Sequence, residues 1–224
     1  MTSARELWAS AGRCWLSIGD EDEALRCFEA AAAWGSLGVL HERKGRFFQA
    51  AKAYERAQQW VDAARCFHAA GKWEPAGRCL ARAELPMRRA WTLVHEMGRA
   101  AEAEKVIDAA PMRDVAETVS MTLVRARCDV ARGDHAAAAK KLREVFPDLA
   151  RVSPASGYRC VTEWAVLIGE SMRRPDLSAL ALAAGPRGVE ADELWERWSS
   201  RVFGEVVPPP FSLHAQEDEE ANAG

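Results

Sequence analysis

Five histidines and six cysteines are the side chains of this 224-residue chain best suited to metal binding or nucleophilic chemistry. His41, His68 and His95 recur at intervals of 27 residues, a regularity that would suit a set of metal ligands. Successive helical layers, however, stand about 8–10 Å apart, whereas zinc holds imidazole nitrogens at about 2 Å. The interval is therefore predicted to reflect a structural repeat, and no metal site is expected.

The cysteines are far apart in the sequence and include no Cys-x2-Cys pair. Most of them fall inside apolar helical patterns, where a free cysteine packs as a small hydrophobe. Neither a disulfide framework nor a zinc site is predicted from this spacing. The six are Cys14, Cys27, Cys66, Cys79, Cys128 and Cys160.

Motifs that carry catalytic chemistry are missing from the sequence. It contains no His-Glu-x2-His, no phosphate-binding loop and no Gly-x-Ser-x-Gly elbow. Acidic pairs such as Glu21 and Glu23 suit helix N-termini, where negative charge favours the helix dipole. We therefore expect no enzymatic activity and no cofactor. An all-α enzyme is kept as an alternative hypothesis that a bound metal or organic cofactor would support.

The net charge of -3 is divided unevenly along the chain. Five acids and no Lys or Arg follow residue 204, which leaves 30 basic and 28 acidic residues before it. Residues 1–204 are therefore nearly neutral and lack the basic surface that is typical of a nucleic-acid-binding protein. No secretory apolar segment and no run of 18 apolar residues occurs, so a cytoplasmic protein that does not enter the membrane is expected.

Alanine dominates the apolar residues, and it has the highest helix propensity. Runs of β-branched and aromatic residues long enough for strands are missing, so the composition predicts an all-α fold.

Four segments of the first half share a pattern of large, small, glycine and alanine positions. They open at Trp8, Trp34, Trp60 and Met87, which are 26, 26 and 27 residues apart. A glycine follows in each copy, as Gly19, Gly45, Gly71 and Gly98. An alanine comes five residues later, as Ala24, Ala50, Ala76 and Ala103. This spacing predicts two helices per copy, an A helix that ends at the glycine and a B helix that packs on it through the alanine.

The second copy reads Trp34-x2-Leu37-Gly38-x2-His41, then Ala50-x3-Tyr54. It resembles the tetratricopeptide (TPR) family, whose signature is W-x2-L-G-x2-Y followed by A-x3-F. The resemblance implies a right-handed α-solenoid of helical hairpins. The 26-residue period is shorter than the family's about 34 residues, so we expect short hairpins of a TPR-like kind.

The domain prediction follows the repeat and the composition. A repeat array spans 1–146, a connection 147–157, capping helices 158–203 and a disordered acidic tail 204–224. Helices beyond the four copies are predicted at 112–132, 134–145, 158–172, 176–184 and 191–203. Residues 206–224 are interpreted either as a solubilising segment or as a docking motif built on Phe211, Leu213 and the acids.

The TPR resemblance implies a binding function, because the A helices of such arrays line a concave surface. We therefore predict a scaffold or adaptor that holds a protein or an extended peptide, with acidic partners favoured. The alternative is a chaperone-like or regulatory module that sequesters a secreted or signalling partner. The residues predicted to contact the partner are Arg13, Val39, Glu42, Val61, Arg65, His68, Arg88, Thr92 and His95.

Overall fold

The computed structural model describes residues 3–111, 114–152, 161–186 and 189–209. Within these ranges the protein consists of thirteen α-helices and one π-helical segment, with no strand. The all-α class predicted from composition is confirmed. The chain divides into two compact units, Met1–Met97 and Gly98–Gly224, which we call the N-terminal and C-terminal units. The boundary between them falls inside the stretch 1–146 that the sequence predicts as one array.

The N-terminal unit is built from short helices, and each helix packs on the one that follows it in the chain. The helices are α1 (Ala4–Ser17), α2 (Glu21–Ala30), α3 (Trp34–Arg43), α4 (Phe47–Arg56), α5 (Trp60–Ala69), α6 (Trp73–Arg82), α7 (Pro86–Trp91) and the π-helical segment Thr92–Glu96. The A helices of the sequence pattern are thus α1, α3, α5 and α7, and the B helices of this unit are α2, α4 and α6.

The turns that end the A helices adopt the left-handed conformation expected from their glycines. Gly45 has a φ of 68° and Gly71 a φ of 66°, a region that residues with a Cβ enter at a cost. The amide of Arg46 then donates to the carbonyl of His41 at 2.8 Å and closes the α3–α4 turn. This part of the prediction is confirmed.

The turns that end the B helices use the same left-handed conformation without glycine. The φ values are 51° at Ala32, 59° at Gln58 and 56° at Glu84. At the α4–α5 turn the amide of Gln59 donates to the carbonyl of Tyr54 at 2.9 Å, a bond of the Schellman type. The chain therefore turns from a B helix into the next A helix within three residues.

Close contact between the helices of a hairpin depends on small residues on both sides. Ala24, Ala50 and Ala76 on the B helices have no exposed surface. On the A helices, a Cβ added to Gly12 would lie 2.7 Å from the ring of Phe28, and one added to Gly38 would lie 2.5 Å from the ring of Tyr54. The predicted role of the small positions in helix approach is confirmed for these two hairpins.

The tryptophans that open the A helices differ in their surroundings. Arg56 lies over the ring of Trp34 at 4.6 Å from its centroid, and Arg82 lies over Trp60 at 4.7 Å. Such contacts are typical cation–π interactions. Trp8 is 50% exposed, and Ala30 occupies the position that corresponds to Arg56 and Arg82.

The C-terminal unit contains longer helices. They are α8 (Ala100–Asp108), α9 (Val115–Arg132), α10 (His135–Leu149), α11 (Val161–Ser171), α12 (Pro175–Ala184) and α13 (Val189–Phe203). Besides the chain neighbours α9–α10 and α11–α12, α9 packs on α11 and α10 packs on α12. Asp114 and Asp134 cap α9 and α10 by accepting bonds from the amides three residues ahead.

Helix α10 continues past the predicted start of the connection at residue 147. Pro147 lies inside its last turns, and the helix ends at Leu149. Pro147 is exposed, whereas Leu149 is fully buried. Burial of Leu149 holds this turn in helical form even though proline removes one backbone bond. The remainder of the connection, at 153–157, lies outside the described residues.

The start of the predicted tail packs on α13. The indole nitrogen of Trp195 donates to the carbonyl of Val207 at 2.6 Å, and the amide of Val207 donates to the hydroxyl of Ser199 at 3.3 Å. Trp195 and Trp198 are buried. The two interpretations of residues 206–224 stay predictions, since 210–224 lie outside the described residues.

Candidate protein-binding surface

The residues predicted to bind a partner all lie in the N-terminal unit. Arg13 is on α1, Val39 and Glu42 are on α3, Val61, Arg65 and His68 are on α5, Arg88 is on α7, and Thr92 and His95 are on the π-helical segment. Arg13, Val39, Val61 and Arg65 are exposed, whereas Glu42, His68, Arg88 and His95 are partly buried. We call these eight residues the A-helix face.

Thr92 does not belong to this surface. Its side chain is 3% exposed, and its hydroxyl donates to the carbonyl of Arg88 at 3.0 Å. A threonine whose hydroxyl bonds the preceding helical turn can be buried without an unpaired polar group. The prediction that Thr92 contacts a partner is therefore corrected.

The centre of the A-helix face is an ion pair between α3 and α5. Both Nη atoms of Arg65 donate to the carboxylate of Glu42, with Nη2 3.0 Å from Oε2 and Nη1 bonded to Oε1. Nη2 of Arg65 also donates to Oδ1 of Asp62 at 3.1 Å. This bidentate geometry is the strongest form of a guanidinium–carboxylate contact. Arg65 thus donates to two acids, one on α3 and one on its own helix.

Tyr54 on α4 supports the same carboxylate from inside the hairpin. Its hydroxyl donates to Oε2 of Glu42 at 3.1 Å. The hydrogen bonds from Arg65 hold the pKa of Glu42 below its ordinary value. Burial and the neighbouring Glu42 carboxylate raise the pKa of Tyr54, and burial raises the pKa of the Cys66 thiol to about 11. At neutral pH the site therefore contains ionised Glu42 and Arg65 beside a neutral phenol and a neutral thiol.

Loss of the Glu42 charge is expected to destabilise the N-terminal unit in a pH-dependent manner. Because its folded-state pKa lies below the ordinary value of 4.5, ionised Glu42 contributes its full stability above that pH and loses it as pH falls through the folded-state value. Glu42→Gln should lower the free energy of unfolding by about 1 kcal/mol at pH 7. Urea titrations at decreasing pH below about 4.5 should show this difference becoming smaller.

The matched control for this prediction is Glu144→Gln. Glu144 pairs with Lys140 at 4.0 Å with both side chains largely exposed, and such pairs contribute about 0–0.5 kcal/mol. An equal effect of the two substitutions, or a Glu42 effect that persists at low pH, would contradict the assigned role of the Glu42–Arg65 pair.

The two histidines of the face pack on tryptophans. Nε2 of His68 lies 3.3 Å from Oε1 of Glu96, and its ring meets Trp73 edge-on at 4.6 Å between centroids. The ring of His95 stacks on Trp91 at 4.8 Å. Each histidine thus has a packing partner of its own.

The described part of the chain contains few candidates for metal ligation or thiol chemistry. No group of three or more His, Cys, Asp or Glu side chains there is arranged to hold a metal ion. The described cysteines are unpaired, and of these only Cys14 is exposed. In the same ranges, no helix combines the length and the apolar character needed to cross a bilayer.

Comparison with known proteins yields no relative. No protein-family model, no curated protein and no solved structure matches the chain. Any function must therefore be argued from the residues and contacts of this structure.

A second exposed surface escaped the sequence prediction. Four large apolar side chains project from α1 and the turn after it: Leu7, Trp8, Trp15 and Ile18. The sequence carries a signal for it, because these residues recur at helical spacing on one side of α1. The repeat pattern masked that signal, since Trp8 and Trp15 occupy positions at which the inner copies pack.

Proposed function

We propose that the chain is a non-enzymatic scaffold or adaptor that binds a protein or an extended peptide on the A-helix face. In this proposal the repeats form a right-handed α-solenoid of short TPR-like hairpins with a 26-residue period. Support comes from the consecutive packing of α1 to α7 and from the shared turn and alanine positions. Repeated hairpins of this kind present extended surfaces suited to chain-like partners.

The observation that carries the binding proposal is the combination of apolar and charged groups on α3 and α5. Val39 is 51% exposed and Val61 42% exposed, on the same helices that hold the Glu42–Arg65 pair. Exposed apolar side chains next to an arginine are typical of protein interfaces. A partner peptide would bury its apolar side chains on the valines, and the ion pair would set its register.

The partner chemistry follows from the ion pair. A carboxylate of an acidic peptide matches the planar donor fork of Arg65 and would share or replace Glu42 there. Arg13, which is exposed and bonded to the hydroxyl of Ser10 at 2.8 Å, offers a second donor on α1. We therefore expect a peptide with acidic residues between apolar ones.

Introducing a charge at each exposed valine tests the proposal. Full-length protein is used to capture binding proteins from a lysate of its native cell, and the affinity of each captured protein is then measured by calorimetry. Val39→Asp/Val61→Asp should weaken a true partner at least about tenfold, because buried interface positions do not tolerate an unpaired charge and a carboxylate repels an acidic peptide.

Val115→Asp is the matched control, since Val115 is 49% exposed on α9 in the other unit. It should leave the affinity unchanged. A partner whose affinity responds to Val115 but not to Val39 and Val61 would overturn the assignment of the A-helix face. Catalytic turnover of a captured molecule by the purified chain would overturn the non-enzymatic part of the proposal.

A further inference from the structure

One side of α1 is apolar, uncharged and exposed. Leu7 is 60%, Trp8 50% and Trp15 38% exposed, and Ile18, at the end of the helix, is 71% exposed. We define the α1 face by these residues and the smaller ones between them at helical spacing, namely Ala4, Leu7, Trp8, Ala11, Cys14, Trp15 and Ile18. None of the seven carries a charge. The charged residues of α1 (Arg5, Glu6 and Arg13) occupy other positions around the helix.

The α1 face uses positions that are packing positions elsewhere in the same unit. Phe67 corresponds to Trp15 in the repeat, and it is fully buried on α5, which packs on α4. Arg56 covers the ring of Trp34, which corresponds to Trp8. On α1 these positions are large and apolar but open to solvent. Exposed apolar patches of this size mark interaction sites in soluble proteins.

The order of residues on the α1 face is self-complementary about Ala11. Leu7 and Trp15 lie four residues to either side of it, and Ala4 and Ile18 lie seven residues to either side. Two antiparallel α1 helices related by a two-fold axis at Ala11 would therefore set Leu7 against Trp15 and small Ala4 against large Ile18. The alanine at the axis allows close approach, as small residues do between packed helices.

Charges do not oppose this antiparallel arrangement. About the same axis, Arg5 stands at the level of Ser17, Glu6 at the level of Leu16, and Arg13 at the level of Ala9. No like charges meet, and no charged group enters the paired faces. An uncharged face with this internal symmetry fits a second copy of itself, as isologous interfaces require.

The area of the face determines how stable the pair is. At the observed exposures the four large side chains present on the order of 400 Å² of apolar surface per copy. A standard interface buries about 800 Å² per partner. The pair is therefore expected to be reversible, with a dissociation constant of roughly 10–100 μM.

We propose that the chain forms a homodimer through antiparallel pairing of two α1 helices about Ala11. This inference goes beyond the proposed scaffold function and does not rest on it, because it uses α1 rather than Val39 and Val61. Dimerisation would present two A-helix faces in one assembly and so raise the avidity for a repetitive partner.

Sedimentation velocity of the full chain over about 1–300 μM tests the dimer. A monomer–dimer equilibrium is expected, and Leu7→Glu should weaken it at least about tenfold by setting an unpaired carboxylate against Trp15 of the second copy. Val115→Glu, at a similarly exposed valine on α9, should leave it unchanged. Circular dichroism verifies that both variants fold.

Cysteine cross-linking tests the register independently, in a Cys14→Ser/Cys160→Ser background oxidised with diamide. Ala11→Cys places two thiols at the axis with Cα atoms about 5 Å apart, so a covalent dimer should form rapidly. Ser10→Cys lies one residue away on the polar side and should not cross-link. In a protein that keeps Cys14, this residue should cross-link poorly. The Cα atoms of its two copies are offset by about 9 Å along the helix axis, beyond the disulfide limit of about 7 Å.

Four outcomes would overturn the proposal. Three of them are a chain that stays monomeric to about 300 μM, an assembly that grows beyond the dimer, and equal cross-linking through Ser10→Cys and Ala11→Cys. A monomer that instead captures a different protein in a Leu7-dependent manner would also overturn the assignment of a second copy. None of these results bears on binding at Val39 and Val61, so failure of the dimer and failure of the scaffold function are distinguishable.

Discussion

Replacing Phe67 with alanine is expected to lower the free energy of unfolding of the N-terminal unit by about 3–5 kcal/mol. Phe67 on α5 is fully buried and meets the ring of Phe48 edge-on at 6.0 Å between centroids. Nζ of Lys52 on α4 lies 5.4 Å from the Phe67 centroid. Truncation removes these contacts and leaves a cavity between α4 and α5. Total stabilities of domains are about 5–15 kcal/mol, so the loss should be evident in urea unfolding.

Phe48→Ala provides the comparison, because Phe48 contacts the same ring but is 43% exposed. Its loss should be about 1 kcal/mol, since most of the change lies at the surface. Hydrogen exchange should show the Phe67→Ala effect in amides of α4 and α5. Equal losses for the two variants would contradict the assignment of Phe67 to the core of a hairpin stack.

The sequence identified the features of the fold that depend on residue size and on φ. Gly45 and Gly71 mark left-handed turns, and only glycine enters that region without cost. Ala50 marks a tight contact, and it has no exposed surface. These residues are informative because few alternatives satisfy the same steric demand, and a fixed interval repeats the signal.

Other features of the fold depend on packing that no single residue type reveals. Gln58 adopts a φ of 59° although it has a Cβ, because the hairpins on both sides impose the turn. Pro147 lies inside α10, where buried Leu149 outweighs the lost backbone bond. In such places tertiary contacts override local preference, and at Pro147 the sequence alone predicts the helix end too early.

The candidate surface was predictable in outline but not in its pairing. The repeat placed Glu42 and Arg65 on A helices, 23 residues apart. Whether these two side chains are open to a partner or bonded to each other depends on side-chain distances that the repeat does not encode. Thr92 illustrates the same point, because its buried hydroxyl bond to Arg88 arises where α7 passes into the π-helical segment.

Gly38→Ala is expected to lower the free energy of unfolding of the N-terminal unit by about 2 kcal/mol. The added Cβ would lie 2.5 Å from Cε1 of Tyr54, and Tyr54 is held in place by burial and by its bond to Glu42. The overpacking cost exceeds the gain in helix propensity from glycine to alanine, which is about 1 kcal/mol. Urea unfolding of Gly38→Ala and of the unsubstituted protein measures this change in the free energy of unfolding.

Gly77→Ala is the matched control, since Gly77 lies inside α6 and its added Cβ would have no neighbour within 4 Å. With no steric cost, only the propensity gain is left, and the variant should be more stable by about 0.5–1 kcal/mol. The same substitution is therefore predicted to act with opposite signs at the two positions.

The repeat itself supplies the change that should rescue Gly38→Ala. Gly12 faces Phe28 and Gly38 faces Tyr54, whereas the third copy has Ala64 and Leu80 at the corresponding positions. Alanine is thus accepted where the facing residue has no ring. In a Tyr54→Leu background, Gly38→Ala should be neutral or stabilising, with a coupling energy of about 1–3 kcal/mol in the double-mutant cycle. Additive effects would instead mean that the two side chains do not meet, and the packing of α3 on α4 would then have to be assigned to other residues.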